Sequence, residues 1–244
     1  MYERKYHKHI SARHNWFDLK LNEVWQYRDL IFLFTQKNFT VSYKQTILGP
    51  LWLFINPLLT SVMYMVVFGN IAKLGTDGIP QLLFYLSGNA LWSYFASCLN
   101  GNAATFTSNA RLFGKVYFPR LTVPISNVLC SVIRFGIQML LVVILLGYYI
   151  WKGAVSPHWE ALLLIFLLLL WLGCMGMGVG ILISSVTTKY RDLSVLVGFG
   201  MSLWMYGTPV VPLYFTGGRK YSSGEYRSLT SFYNTGNAGR NSRI

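Results

Sequence analysis

Residues 161–184 read ALLLIFLLLLWLGCMGMGVGILIS, without one charged side chain. As a helix rising 1.5 Å per residue this run covers about 36 Å, more than the roughly 30 Å of hydrocarbon in a bilayer. It shows no alternation of period two, so it reads as a helix and not as a barrel strand. Four more apolar runs of similar length surround it: Leu51–Ile71, Leu82–Ala104, Val123–Tyr149 and Leu193–Phe215. With 53% hydrophobic and only 12% charged residues, the chain reads as an all-α polytopic membrane protein with five predicted transmembrane helices.

The charges between the runs assign sides. Arg4, Lys5, Lys8, Arg13, Lys20, Arg28, Lys37 and Lys44 precede the first run. Arg111, Lys115 and Arg120 lie between the second and third, and Lys189 and Arg191 between the fourth and fifth. The other two loops hold only Lys73 and Lys152. Because short cytoplasmic loops collect Lys and Arg, thirteen against two puts the amino terminus and loops two and four in the cytoplasm. The net charge of +13 therefore tracks membrane sidedness, which argues against nucleic acid as a partner. The first 20 residues are polar and lack an apolar core, so no cleavable signal peptide is expected. Cys98, Cys130 and Cys174 fall in the runs at spacings that suit neither a metal site nor a disulfide framework, and read as small buried side chains.

Residues 22–46 carry a helical pattern without the length of a span. Val24, Tyr27, Ile31 and Phe34 recur at spacings of three and four, with Glu23, Arg28, Asp29, Gln36 and Lys37 between them. This predicts an interfacial helix with Trp25 and Tyr27 at headgroup depth, ended by Gly49–Pro50 where the chain turns into the first span. The domain reading is 1–48 as a cytoplasmic amino-terminal segment, 49–215 as the transmembrane domain and 216–244 as an anomalous polar tail.

Ionisable groups inside a membrane are costly and usually functional. All eight acidic residues and all four histidines lie in loops, tails or span ends, so neither a proton relay nor an intramembrane catalytic or metal centre is expected. Arg134 alone sits within a run, with three readings open: snorkelling, pairing across helices, or contact with an anionic substrate. Gly114–Lys115 is followed by Val116 with no glycine five positions earlier, so the phosphate-binding loop of nucleotide hydrolases is absent. The chain is therefore expected to bind no cofactor and to have no enzymatic activity of its own. Trp92, Tyr94, Phe95, Trp204 and Tyr206 could stack on sugars or line a lipid-facing belt. The Gly176–Gly180 spacing permits a close helix approach.

Taken in order, several motifs resemble the membrane-spanning subunit of ATP-binding-cassette exporters of cell-surface polysaccharides and polyol phosphates. They are Arg28-Asp29-Leu30, Tyr43-Lys44-Gln45-Thr46 with Leu48-Gly49, Trp52 and Pro57, and then Tyr85, Gly88, Trp92 and Phe95. Asn109, Leu112 and Lys115-Val116-Tyr117-Phe118-Pro119-Arg120 with Pro124 follow, then Tyr190-Arg191-Asp192, Trp204 and Thr208-Pro209. The resemblance implies a homodimer in the bacterial cytoplasmic (inner) membrane that exports a lipid-linked glycan of the O-antigen, capsule or teichoic acid type. Two copies of a separate cytosolic ATPase, holding ATP and magnesium, would drive it. It implies a gate helix at Asn22–Thr46, where Trp25, Arg28, Asp29, Lys37 and Lys44 face membrane lipid or the lipid phosphate of the substrate. It also implies that the loop bearing Asn109, Arg111, Leu112, Lys115, Tyr117, Phe118, Pro119 and Arg120 docks on the ATPase, and that Trp92, Tyr94, Phe95, Trp204 and Tyr206 flank the glycan path.

The resemblance weakens beyond Pro212. Relatives continue into a sixth span, whereas the residues after about 213 read as a shifted frame or a divergent end that carries Arg219, Lys220, Arg227, Arg240 and Arg243. Two alternatives follow: an inactive permease that still dimerises or holds its ATPase, and a subunit exporting drugs or small lipids.

Overall fold

The least apolar of the long helices lies at the centre. Gln81–Ala103 carries Ser87, Asn89, Ser93, Ser97, Asn100 and Asn102, yet ten of its residues are buried, including Tyr85, Leu86, Ala90, Cys98 and Leu99. Of its amides, Asn89 and Asn102 are buried and Asn100 is exposed. The computed structural model describes residues 21–44, 47–72, 76, 79–153, 160–190 and 192–208. The expectations for the first 20 residues, Lys73, Arg191, the end of the fifth run and the tail from 216 lie outside these.

The helices are α1 (Leu21–Gln26), α2 (Arg28–Tyr43), α3 (Trp52–Tyr64), α4 (Gln81–Ala103), α5 (Thr105–Ser108), α6 (Ala110–Phe113), α7 (Thr122–Trp151), α8 (Glu160–Thr187) and α9 (Leu193–Gly207). Between α2 and α3, Gly49 adopts φ 49°, a conformation that a side chain disfavours, and Pro50 occupies the first turn of the 3-10 helix Gly49–Leu51. This is the break that the Gly-Pro pair predicts. Beyond Tyr64 the helix widens into a π-helical stretch, Met65–Ile71.

Among the described residues three helical segments are long and apolar enough to cross a membrane unaided: Gly49–Ile71, Thr122–Trp151 and Leu164–Thr187. Helix α4 has the length but too many polar groups, and α9 shows 15 residues of the fifth run. Lipid contact selects for apolar residues, whereas a helix surrounded by protein escapes that selection.

Contact order along the chain fixes the direction of each helix. Gly69 lies against Gln81 and Phe68 meets Tyr85, with ring centroids 6.3 Å apart, so the order is reversed and the first long segment runs antiparallel to α4. Tyr94 meets Phe135 at 5.5 Å while Leu86 packs with Val142, so α7 is also antiparallel to α4. On α8 the order 173, 176, 180 follows Tyr94, Cys98, Asn102, so α8 is parallel to α4. Met201 and Trp204 meet Leu99 and Phe95 in reverse order, making α9 antiparallel. Successive runs thus alternate in direction, as successive membrane crossings must. The 105–121 loop and the turn after α8 meet at one end, where Phe106 donates its backbone N–H to Ser184 Oγ at 3.0 Å. Arg111, Lys115, Arg120 and Lys189 share this end, whereas Lys152 lies at the opposite one.

The seam between α4 and α8 is dry and close. A Cβ on Gly180 would fall 2.8 Å from Leu99 O and 2.6 Å from Asn102 Cβ, and one on Gly176 would fall 2.9 Å from Cys98 Cβ. No side chain fits there, so the backbones approach through glycine. Cys98 and Cys130 are buried as expected. Cys174 is exposed, bordering an open apolar cleft between α7 and α8, which corrects the expectation of a buried side chain.

Candidate functional site

Four helices contribute polar residues at spacings of three or four to one continuous groove. Helix α3 gives Asn56, Thr60 and Tyr64, α4 gives Asn89, Ser93 and Ser97, and α7 gives Ser131, Arg134 and Gln138 around a cavity of about 420 Å³. An adjoining cavity of about 370 Å³ is lined by Lys37, Asn38 and Ser42 of α2, with Ser97, Asn127, Ser131 and Arg134. Ser97, Ser131 and Arg134 border both. The spacing keeps each set on one helix face, so the groove follows from three polar stripes, uncharged apart from Arg134, inside apolar runs.

The amino-terminal helix is fastened to this groove. Thr35 Oγ1 donates to Ser126 O at 3.3 Å, Asn38 Nδ2 donates to Asn127 Oδ1 at 3.0 Å, and Arg134 Nη2 donates to Ser42 Oγ at 2.8 Å. Both sequences ascend through these pairs, so α2 runs in the same direction as the first half of α7. Asn127 Nδ2 also donates to Gly101 O at 3.0 Å, which ties α7 to α4. The helix that the apolar spacing predicts is present over 21–43, broken at Tyr27 into α1 and α2, and α2 carries a second, polar stripe that needs partners and finds them on α7. Its exposed side shows Trp25, Phe32, Leu33 and Val41.

Among the basic residues expected on this helix, Arg28 is exposed and 3.9 Å from Asp29, and Lys44 is exposed. Lys37 borders the groove. Arg134 pairs across helices, the second of its three readings, and it lies within reach of the Cys130 thiol. Lys152 sits 4.7 Å above the Tyr148 ring, and its hydrogen bond with Tyr148 pushes its pKa above the ordinary lysine value.

The five aromatic residues separate into different settings. Trp92 and Phe95 are 5.8 Å apart, and Phe95 meets Trp204 edge-on at 5.6 Å. Together with Trp171 these three line an apolar cleft of about 370 Å³, and Trp92 also borders the polar groove. Tyr94 is 3% exposed, packs on Phe135 and donates its hydroxyl to Leu169 O at 3.2 Å. It forms the wall of the groove and is no open stacking platform. Tyr206 is exposed. Sequence reasoning passes over Asn56, Thr60, Asn89, Ser93, Ser97 and Gln138, although their four-residue spacing is an available signal.

The 105–121 loop is folded around rings. Phe106 and Phe113 lie 6.0 Å apart, Phe113 stacks on Phe118 at 5.4 Å, and Phe118 meets Phe34 of α2 at 5.9 Å. Phe118 is buried, while Arg111, Lys115, Tyr117 and Arg120 are exposed around it. Leu112 and Pro119 are half-buried, and Asn109 Nδ2 donates to Thr105 O at 3.0 Å, bracing the loop.

The profile of the ABC-2 type transporter family matches residues 29–214. An O-antigen export system permease protein RfbA of Klebsiella pneumoniae is 31% identical over 184 residues, covering 75% of this chain and 68% of that relative. A second RfbA from the same species is 29% identical over the same share of each chain. The RfbA of Myxococcus xanthus is 27% identical over 192 residues, 78% of this chain and 71% of its own length.

Proposed function

The chain belongs to the ABC-2 type transporter family, and from that premise we propose that it is the permease subunit of an exporter for a lipid-linked cell-surface polysaccharide. It sits in the bacterial cytoplasmic membrane with its amino terminus inside. A separate cytosolic subunit hydrolyses ATP with magnesium. The observation that carries this reading is the groove, where amides and hydroxyls on three helices face one another inside apolar runs. A glycan entering the membrane needs replacements for its hydrogen bonds to water, and an unpaired polar group there costs several kcal/mol in order of magnitude. A groove bordered by Asn, Ser, Thr and Gln supplies such replacements without fixing any single sugar.

In a homodimer a second copy of the chain would complete the wall of this groove. The exposed Arg111, Lys115, Tyr117 and Arg120 suit an ATPase surface, with the buried rings holding their loop in shape. A drug or small-lipid exporter is the second reading, favoured by the apolar cleft of Trp92, Phe95, Trp171 and Trp204.

The test is complementation. The chain and the ATPase encoded beside it are expressed in a strain that makes the glycan but lacks its exporter. The expected outcome is glycan at the cell surface, dependent on both proteins. Glycan retained inside while dye efflux rises would select the second reading.

A further inference from the structure

The polar groove stops one turn short of where its stripes lead. Asn89, Ser93 and Ser97 stand four apart on α4, and the next position in that series is Tyr85. Asn56, Thr60 and Tyr64 stand four apart on α3, and the next position is Phe68. Arg134 and Gln138 of α7 lead in the same way to Val142. None of these three continuations borders the groove. Phe68 lies 6.3 Å from the Tyr85 ring and 5.9 Å from that of Tyr64, and Val142 packs with Leu83 and Leu86. Tyr85 and Leu86 are fully buried. Side chains thus fill the end of the groove that lies away from the 105–121 loop.

Two features mark this filled end as one state of two. The Tyr85 hydroxyl is buried and has no hydrogen-bond partner among the described residues. A hydroxyl left in that condition costs the protein free energy that a second arrangement, in which it is paired, would recover. The Phe68 ring beside it belongs to the π-helical stretch Met65–Ile71, at whose end Ala72 donates its N–H to Val67 O at 2.9 Å, five residues back. Return to α-helical bonding would shift the residues on one side of this stretch by one position, about 100° of rotation and about 1.5 Å of rise. The contacts that oppose such a shift are soft. The Tyr64 hydroxyl donates to Met205 Sδ at 3.5 Å, a weak acceptor, and Gly69 lies against the flexible Gln81 side chain.

We propose that the π-helical stretch is the movable side of a seal at the outer end of the groove, and that the Tyr85 hydroxyl is a sugar-binding group that the seal withholds. In the closed state Phe68 covers Tyr85. When the stretch returns to α-helical bonding, Phe68 leaves and the hydroxyl lengthens the series of Asn89, Ser93 and Ser97 by one turn, about 6 Å. This rests on the export reading above and adds the step by which the groove reaches the outer surface.

The full chain and the ATPase encoded beside it are compared as wild type and Y85F, which deletes the hydroxyl and keeps the ring. The purified Y85F complex is expected to unfold about 3 °C higher, since an unpaired buried group is gone. In cells that make the glycan, surface glycan should appear about fivefold more slowly with Y85F, since the open groove has lost a hydrogen bond. The opposite signs are the signature, because a hydroxyl that serves only the closed fold would move both readings the same way. An equal or lower unfolding temperature for Y85F overturns the proposal, the hydroxyl then being paired or hydrated in the closed state. Unchanged export overturns it as well. F68A tests the cover. With that ring removed water reaches the hydroxyl, so adding Y85F to F68A should gain nothing in unfolding temperature, and a gain still near 3 °C overturns the role of Phe68. Surface glycan from the wild-type chain is measured alongside. Its absence sinks the export reading, and the seal with it, whatever the unfolding temperatures are. Wild-type export matched by Y85F removes only the seal.

Discussion

Helix α4 presents two unlike seams. Toward α8 it meets glycines, with backbones so near that a Cβ on Gly180 would strike Leu99 O. Toward α3, α7 and α2 it meets amides, hydroxyls and a guanidinium around open space. The first seam is held by dispersion between many close atoms, which is lost at once if the helices part. The second is held by hydrogen bonds that water or a polar ligand can take over one at a time. A membrane protein that must both endure and open can divide those tasks between the two sides of one helix.

The largest break comes from filling the dry seam. Gly180→Leu is expected to cost about 3 kcal/mol or more, seen as loss of a monodisperse peak in detergent. Phe118→Ala should cost about 3 kcal/mol in thermal unfolding, and should lower glycan export more than it lowers ATP hydrolysis by the complex. Asn127→Leu tests the wet seam. It removes the donor to Gly101 O and the acceptor for Asn38, so about 1 kcal/mol is expected to be lost. Amide hydrogen exchange should then quicken across α2 and stay unchanged in α8. Tyr117→Ala, at a side chain 69% exposed, should leave the stability within about 0.5 kcal/mol of wild type while weakening copurification with the ATPase. Smallest of all is Gly178→Ala, where a Cβ meets nothing within 4 Å. It serves as the control that separates the seam from glycine content, and a loss of stability as large as that of Gly180→Leu would undo the contrast.

The dry seam is legible in the amino-acid sequence. Gly176 and Gly180 stand four apart, and close approach is the one packing advantage that a missing side chain confers. Loop charge likewise forecasts which ends lie together, since Arg111, Arg120 and Lys189 share one end. The wet seam is harder to read because Asn89, Ser93 and Ser97 are diluted by apolar neighbours in any window average, and periodicity names a face without naming its partner. Tyr94 shows the same limit. An aromatic ring in a span reads equally as platform or packing, and only the hydroxyl's bond to Leu169 O decides for packing. The direction of α2 is hidden for a related reason. Thr35, Asn38 and Ser42 look like the solvent side of a surface helix until Ser126, Asn127 and Arg134 are found opposite.

The contact of Phe34 with Phe118 has a consequence in linkage. One ring belongs to α2 and the other to the loop, so the docking of α2 and the grip of the loop on any partner close a single thermodynamic cycle. If undocking α2 weakens that grip by a factor of about ten, then removing the partner must loosen α2 by the same factor. Neither end can be the sole cause of the other's movement, because the free energy of coupling belongs to both.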